Sequence, residues 1–417
     1  MSTRIARNPS ELFASVSTER GVAFLDGRFA ARRAPYSHVA WEPAASLRIG
    51  PREAAAGEDV LHAIDRFVER ETALCRTVIG ALSYDLGVWI EPAAGPRRSG
   101  DLPLVALSSY DVAYTFDHAT GRWQRPPPPL PVRNHGEFDV SCPRPLLDPA
   151  AYAKRFERLH RWIAAGDVYQ ANLSIAFDAE LQGSAPALYE ELAKSSPAPY
   201  GAYLDFGDTL LLSNSPELFL ERRRDRVTTR PIKGTRPRAA ARDEDERLAI
   251  ELSTDPKERA EHVMIVDLER NDLGRIAEIG SVSVEEIEAI ESYATVHHLE
   301  STVRARARHD LRLSDFLRAL FPGGSITGAP KIRAMQILSE LESVERGFYT
   351  GAILHCVPGG DFTMSICIRT ATVRGGRVRY PAGGGIVIDS RPQTEYAECL
   401  LKARAFLAMS RRYGLSA

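Results

Sequence analysis

The sequence predicts an α+β fold rather than a doubly wound α/β one. Strand-like and helix-like runs alternate through the second half of the 417-residue chain, but without regular βαβ spacing. Composition points the same way as length: 44% of residues are hydrophobic, and 53 Lys+Arg against 55 Asp+Glu leave a formal charge of −2. Such a chain buries a wide core and is not disordered. The clearest break is the run RPPPPLPVR at 125–133. Four successive prolines cannot donate ladder hydrogen bonds and favour an extended, stiff connector; docking to an SH3-like partner is the other reading. The break separates an N-terminal region, 1–133, from a second region, 145–410, the two read as one intertwined globular unit.

Taken in order, the first region shows a helix near 59–71 and short apolar strands such as 105–108. After the break comes a helix over 149–165, with Phe156, Leu159 and Trp162 on one stripe. Strand-like runs follow at 169–177, 201–206, 209–213 and 217–222. Helices are expected over 256–269 and 329–342, strands at 351–356, 363–373 and 385–389, and a closing helix over 394–410.

The near-neutral charge excludes the electrostatic footprint of a nucleic-acid-binding chain. No stretch reaches the roughly 18–20 uninterrupted apolar residues of a membrane span, and MSTRIARNPSELFASV does not read as a signal peptide. The five cysteines (Cys75, Cys142, Cys356, Cys367, Cys399) show no CxxC spacing, which argues against a disulfide scaffold or zinc ribbon. A cytoplasmic protein is expected.

Four segments could carry chemistry. Glu258 and Glu261 lie three apart on one expected helix, and Glu395 and Glu398 three apart on another. Each pair shares a helix face, so each is either a solvated surface or half of an all-oxygen site suited to Mg²⁺. In RPIKGTRPR, 230–238, Lys233 is either a surface lysine on a tight turn or an amine aimed inward beside the amides of Gly234 and Thr235. FPGGSITGAPKIRAM, 321–335, has the spacing of a phosphate loop, but Ala329 stands where its lysine belongs. What remains is a Gly-rich loop with Pro330 in the first turn of a helix, where amides and dipole favour a carboxylate. AGGGIVIDS, 382–390, is either a hairpin bend or a loop whose bare backbone a ligand can approach.

Together with GDVYQANL, SNSPELFL, ERAEHVMIVDLERNDLGR, VHHLESTV, YTGAI, ICIRTA and RPQTEYAECLLKA, these segments closely resemble the chorismate-utilising enzymes. That family includes members that make anthranilate, aminodeoxychorismate, isochorismate or salicylate. The likeness runs from about 148 to 407, in the family's order, and GALSYDLG at 80–87 resembles its N-terminal signature. The resemblance implies two large β-sheets packed face to face with helices outside, an α/β/β/α arrangement with the site between the sheets. It also implies roles. Glu258, Glu261, Glu395 and Glu398 would hold Mg²⁺, which grips the ring carboxylate of chorismate. Glu217 would be the general acid for the departing hydroxyl, with His298 beside it. Thr327, Tyr349, Arg369, Lys402 and the amides of Gly383, Gly384 and Gly385 would bind substrate, as would Gly234 and Thr235.

Two positions imply the branch. Members that add water to chorismate resemble one another in a lysine base where this chain has Gln170. At the PIKGT position, Lys233 resembles the branch that makes 4-amino-4-deoxychorismate, on the way to 4-aminobenzoate and folate, through a lysine-linked intermediate. A neutral, desolvated lysine amine is a competent nucleophile. No cysteine sits in a nucleophile elbow, so the resemblance implies a separate glutamine amidotransferase subunit that supplies ammonia. No lyase segment is expected after the closing helix. The competing expectations are an anthranilate-forming member and a non-catalytic chorismate-binding homologue.

Overall fold

Small residues decide how the two halves of the molecule meet. In a computed structural model, which describes residues 3–29, 35–293, 296–342 and 344–410, the strands form a 12-stranded and a 10-stranded sheet. Between them lies a layer built largely from Ala23, Ala40, Ala81, Ala106, Ala202, Leu204, Leu211, Ile79 and Ile353, drawn from both sheets. Alanines let two pleated faces approach closely. The outer faces carry the bulk. Tyr152, Phe156, Leu159, Tyr189, Leu192 and Phe406 pack helices onto the larger sheet, and Ile64, Phe67, Val266, Leu273, Phe316 and Leu317 pack others onto the smaller. The result is the α/β/β/α arrangement expected.

The strands of the first 133 residues and those after 145 share both sheets. Ala23–Asp26, Tyr36–Ala40 and Tyr114–Asp117 extend the larger sheet, and Ala45–Ile49, Thr77–Leu82 and Val105–Tyr110 the smaller. The proline run ends in the short strand Leu130–Pro131, which pairs with Thr3–Arg4. Helices begin where capping residues allow. Asp59 accepts the His62 amide at the start of Val60–Ala73, and Asp148 accepts the Ala151 amide at the start of Pro149–Ala164. Pro149, Pro256 and Pro392 each open a helix at a position whose amide needs no partner. Among the described residues, no helix is long and apolar enough to cross a membrane.

Four local expectations are corrected. The run 363–373 is two strands: Phe362–Ile366 lies in the smaller sheet and Thr370–Arg374 in the larger. The apolar residues continue because both ends are buried, and periodicity does not show a change of sheet. RPIKGTRPR is not a tight turn, because Ile232–Pro237 is a strand paired with Val296–Arg306. The glycines of AGGGIVIDS do not form a bend but lie inside the strand Arg377–Ile386, opposite Asn172, Leu173 and Ser174. Pro330 is also displaced: it precedes the helix Lys331–Leu341 as its N-cap.

Candidate active site

Lys233 sits where strand pairing slips. The register between Ile232–Pro237 and Val296–Arg306 shifts between Lys233 and Thr235, with Gly234 at φ +71 inside the shift. A side chain at Gly234 would be strained in that conformation and would meet Leu252 Cδ1 at 2.7 Å and Glu258 Oε2 at 3.1 Å. Beyond the shift Thr235 stands opposite His298, and its Oγ1 shares a 3.0 Å hydrogen bond with His298 Nδ1. His298 Nε2 is buried with no hydrogen-bond partner among the described residues. Burial, with Arg369 and His297 nearby, pushes the imidazole down to about 3, so the ring is neutral at physiological pH.

The glycine strand forms a floor between this lysine and the carboxylates. A β-carbon on Gly385 would lie 2.6 Å from Gln170 Nε2 and 3.3 Å from Lys233 Nζ. One on Gly384 would lie 3.2 Å from Glu395 Oε2 and 3.5 Å from Glu398 Oε1. Only glycines leave these functional groups room to converge over the main chain.

Each glutamate pair lies on one helix, Pro256–Gly274 or Pro392–Leu407, and Glu261 lies near enough to Glu398 for their charges to interact. Pro256–Gly274 is capped by Asp255, whose Oδ1 accepts the amides of Lys257 and Glu258 at 2.9 and 3.2 Å. Glu258 pairs with Arg236 at 3.4 Å, Glu261 with Lys257 at 3.7 Å, and Glu398 with Lys402 at 2.7 Å. Lys402 also donates to the Gly383 carbonyl at 2.9 Å. Burial raises Glu261 above the usual carboxylate range against the pull of Lys233, with Glu258 and Glu398 adding to the rise. Burial likewise raises Glu395. For Glu398 burial is outweighed by Lys402, which holds it below its ordinary value. Among the described residues no three acidic, histidine or cysteine side chains already form a coordination cluster. The donor chemistry nevertheless fits a hard divalent cation: four carboxylates, two of them raised by burial and like charge, which a cation would relieve.

At the other end of the cleft Glu217 is buried just ahead of the strand Leu218–Arg223. Ser325 Oγ donates to its Oε1 at 2.8 Å. Burial pushes Glu217 up to about 7, opposed by Ser325 and by the charges of Lys233 and Lys402. Burial lowers Lys233 itself, opposed most by Glu261. Arg369 lies at the crossing between the sheets with φ +50, and Thr350, beside Tyr349, has φ +59. Such values are uncommon for Arg and an outlier for β-branched Thr. Arg369 is buried near Tyr380 and Lys402 and donates to Ser196 Oγ at 3.4 Å, and Tyr349 is buried near Arg346, Cys399 and Tyr380. Thr327 does not offer its hydroxyl freely; that group donates to the Gly323 carbonyl at 2.9 Å.

Two groups went unread in the sequence. Ser325 lies inside a glycine loop, where its contact with a glutamate 108 positions earlier leaves no local signal. Arg346 is buried against Glu342 at 2.7 Å, stacks on Tyr84, and donates to the carbonyls of Ile326 and Asn172. It joins the glycine loop to the strand that faces Gly385, and the sequence offered only its place beside YTGAI.

A desolvated lysine beside a strand of bare glycines, with carboxyls on the neighbouring helices, is what an enzyme needs rather than what a packed core needs. The chain belongs to the chorismate binding enzyme family, whose profile matches residues 22–408. It is 40% identical over 348 residues to aminodeoxychorismate synthase component 1 of Salmonella typhimurium, covering 79% of this chain and 75% of that one. It is 34% identical to anthranilate synthase component 1 of Methanothermobacter thermautotrophicus, over 96% of this chain and 92% of that protein. Among solved structures, anthranilate synthase component I of Streptococcus pneumoniae superposes with a TM-score of 0.78 at 30% identity, over 90% of this chain and 92% of the other.

Proposed function

We propose that this enzyme converts chorismate and ammonia to 4-amino-4-deoxychorismate, with the ammonia delivered by a glutamine amidotransferase subunit. The observation that carries the reading is Lys233: an amine at a strand slip, against the bare backbone of Gly385, with Gln170 rather than a second lysine beside it. Desolvation favours its neutral, nucleophilic form. The similarity to an aminodeoxychorismate synthase supports the same branch. The longer alignment to an anthranilate synthase keeps anthranilate formation as the second reading.

In this scheme Arg369, Tyr349 and the strand amides of Gly383, Gly384 and Gly385 hold the substrate's side-chain carboxylate. Glu258, Glu261, Glu395 and Glu398 would hold Mg²⁺, which when bound supplies the positive charge that grips the ring carboxylate. Lys233 Nζ forms a bond to a ring carbon while the ring double bonds shift and the carbon–oxygen bond breaks. Glu217, kept protonated by its burial, gives its proton to the departing hydroxyl, which leaves as water beside the neutral His298. Ammonia then bonds to the carbon that lost the hydroxyl, the double bonds shift back, the bond to Nζ breaks, and the surplus proton returns to the site.

The test is product identification with chorismate, a magnesium salt and ammonium, together with intact-mass analysis of Lys233 under turnover. The reading expects 4-amino-4-deoxychorismate and a transient adduct on Lys233. Anthranilate as the product overturns the branch.

A further inference from the structure

Arg346 hydrogen-bonds to none of the groups that the scheme assigns to bind or react, yet it is 6% exposed and fully engaged. A guanidinium carries five N–H donors in a planar fork, and here it makes five contacts with oxygen. Nε donates to Glu342 Oε2 at 2.7 Å, and Nη2 donates to Glu342 Oε1 at 2.9 Å. Nη2 also reaches the Asn172 carbonyl at 2.5 Å. Nη1 donates to the Ile326 carbonyl at 3.1 Å and to Thr350 Oγ1 at 3.3 Å. Glu342 is held in turn, because its Oε1 accepts the Ser174 amide and hydroxyl at 3.1 and 2.8 Å. A buried ion pair is tolerated when its remaining bonds are filled, and these are.

The partners of the fork sit beside working residues. Asn172 pairs with Gly385, Thr350 follows Tyr349, and Ile326 follows Ser325. Ser325 Oγ donates to Glu217 Oε1 at 2.8 Å, which leaves Oε2 to carry the proton for the departing hydroxyl. The Ile326 carbonyl accepts a second donor, Asn172 Nδ2 at 3.0 Å. Gly324–Ile326 is a turn of three residues, so fixing the carbonyl at its end also fixes the hydroxyl one residue earlier. We propose that Arg346 is a positioning residue for Glu217: with Asn172 it pins the Ile326 carbonyl, and the pinned turn holds Ser325 where it orients the Glu217 carboxyl. Lysine at 346 would keep the charge beside Glu342. Its three donors on one nitrogen cannot fill five contacts spread over a plane.

The inference rests on Glu217 as the general acid, and its test separates the two. Chorismate consumption by the full chain is measured per folded molecule at saturating magnesium and ammonium. Arg346→Lys is expected to lower kcat about tenfold or more, while the KM for chorismate rises less than about threefold. A merely structural arginine would cost folded enzyme and leave the kcat of the remainder unchanged, and that result overturns the proposal. Ser325→Ala cuts the link between turn and acid. Arg346→Lys added to it is therefore expected to cost less than about threefold more, and equal costs in the two backgrounds overturn the proposal. Asn172→Ala loosens the same carbonyl without touching the buried ion pair. It is expected to couple to Ser325→Ala in the same way, and it carries the test should the lysine variant not fold; costs that multiply there overturn the proposal too. Glu217→Gln is the control. Turnover like the wild type means that the acid assignment has failed and the inference with it; a slow Glu217→Gln beside multiplying costs means that only the positioning has failed.

Discussion

Glu217 and Glu398 are the same side chain, both felt by Lys233, yet they stand at opposite poles of one cleft. Glu217 is buried, bonded to one serine hydroxyl, and raised to about 7. Glu398 is half-buried, 2.7 Å from Lys402, and held below its ordinary value. The first environment keeps a proton near neutral pH, as an acid needs; the second keeps an anion, as a cation ligand needs. Role follows from partners and water, not from residue type. Lys233 stands between the poles, its ammonium disfavoured by desolvation and favoured by glutamates on both sides.

The contrast can be broken from either end. Glu398→Gln removes one of the four carboxylates proposed to hold Mg²⁺ and is expected to abolish turnover without unfolding the chain. Circular dichroism checks the fold, and unchanged activity of this variant in excess chelator sinks the metal assignment. Lys233→Ala removes the proposed nucleophile, and aminodeoxychorismate formation is expected to fall by about a thousandfold or more. Chromatography of the products would also show whether direct ammonia attack at another ring position is unmasked; undiminished aminodeoxychorismate would refute covalent catalysis.

Glu217→Gln strikes the acid pole, with an expected loss of about 10²–10⁴ in kcat. It also carries a stability signature. A carboxyl whose folded pKa is raised adds stability that is fully present below its unfolded value, near 4.5, and is lost as pH rises through about 7. The amide variant has no such loss, so its melting temperature relative to wild type should rise from pH 5 to pH 8, by up to about 3 kcal/mol in stability. A difference flat with pH contradicts a protonated Glu217. Arg369→Ala has the smallest effect. It should raise the KM for chorismate about ten- to a hundredfold, as a lost charge-assisted bond would, with little change in thermal stability. Lost stability with normal binding would mark a structural arginine.

Much of the element plan was legible because its signals are local. Phe156 and Leu159 on one stripe pointed to the helix Pro149–Ala164, and both glutamate pairs fell on helices as expected. The sequence alone also determined which groups are available: one lysine in PIKGT, an amide at Gln170, four paired glutamates. Tertiary structure decided what they do. Whether Gly383–Gly385 bends or runs straight depends on the strand at Asn172–Ser174, some 210 residues earlier, and a glycine run is compatible with both. The change of sheet at Arg369 is invisible to periodicity because both strands bury their side chains. Glu217 keeps its proton to about 7 because burial outweighs the hydrogen bond from Ser325 and the charges of Lys233 and Lys402, and Glu398 stays an anion because Lys402 lies beside it. Proton affinity is set by through-space neighbours and access to water, and neither is written in the order of residues along a chain.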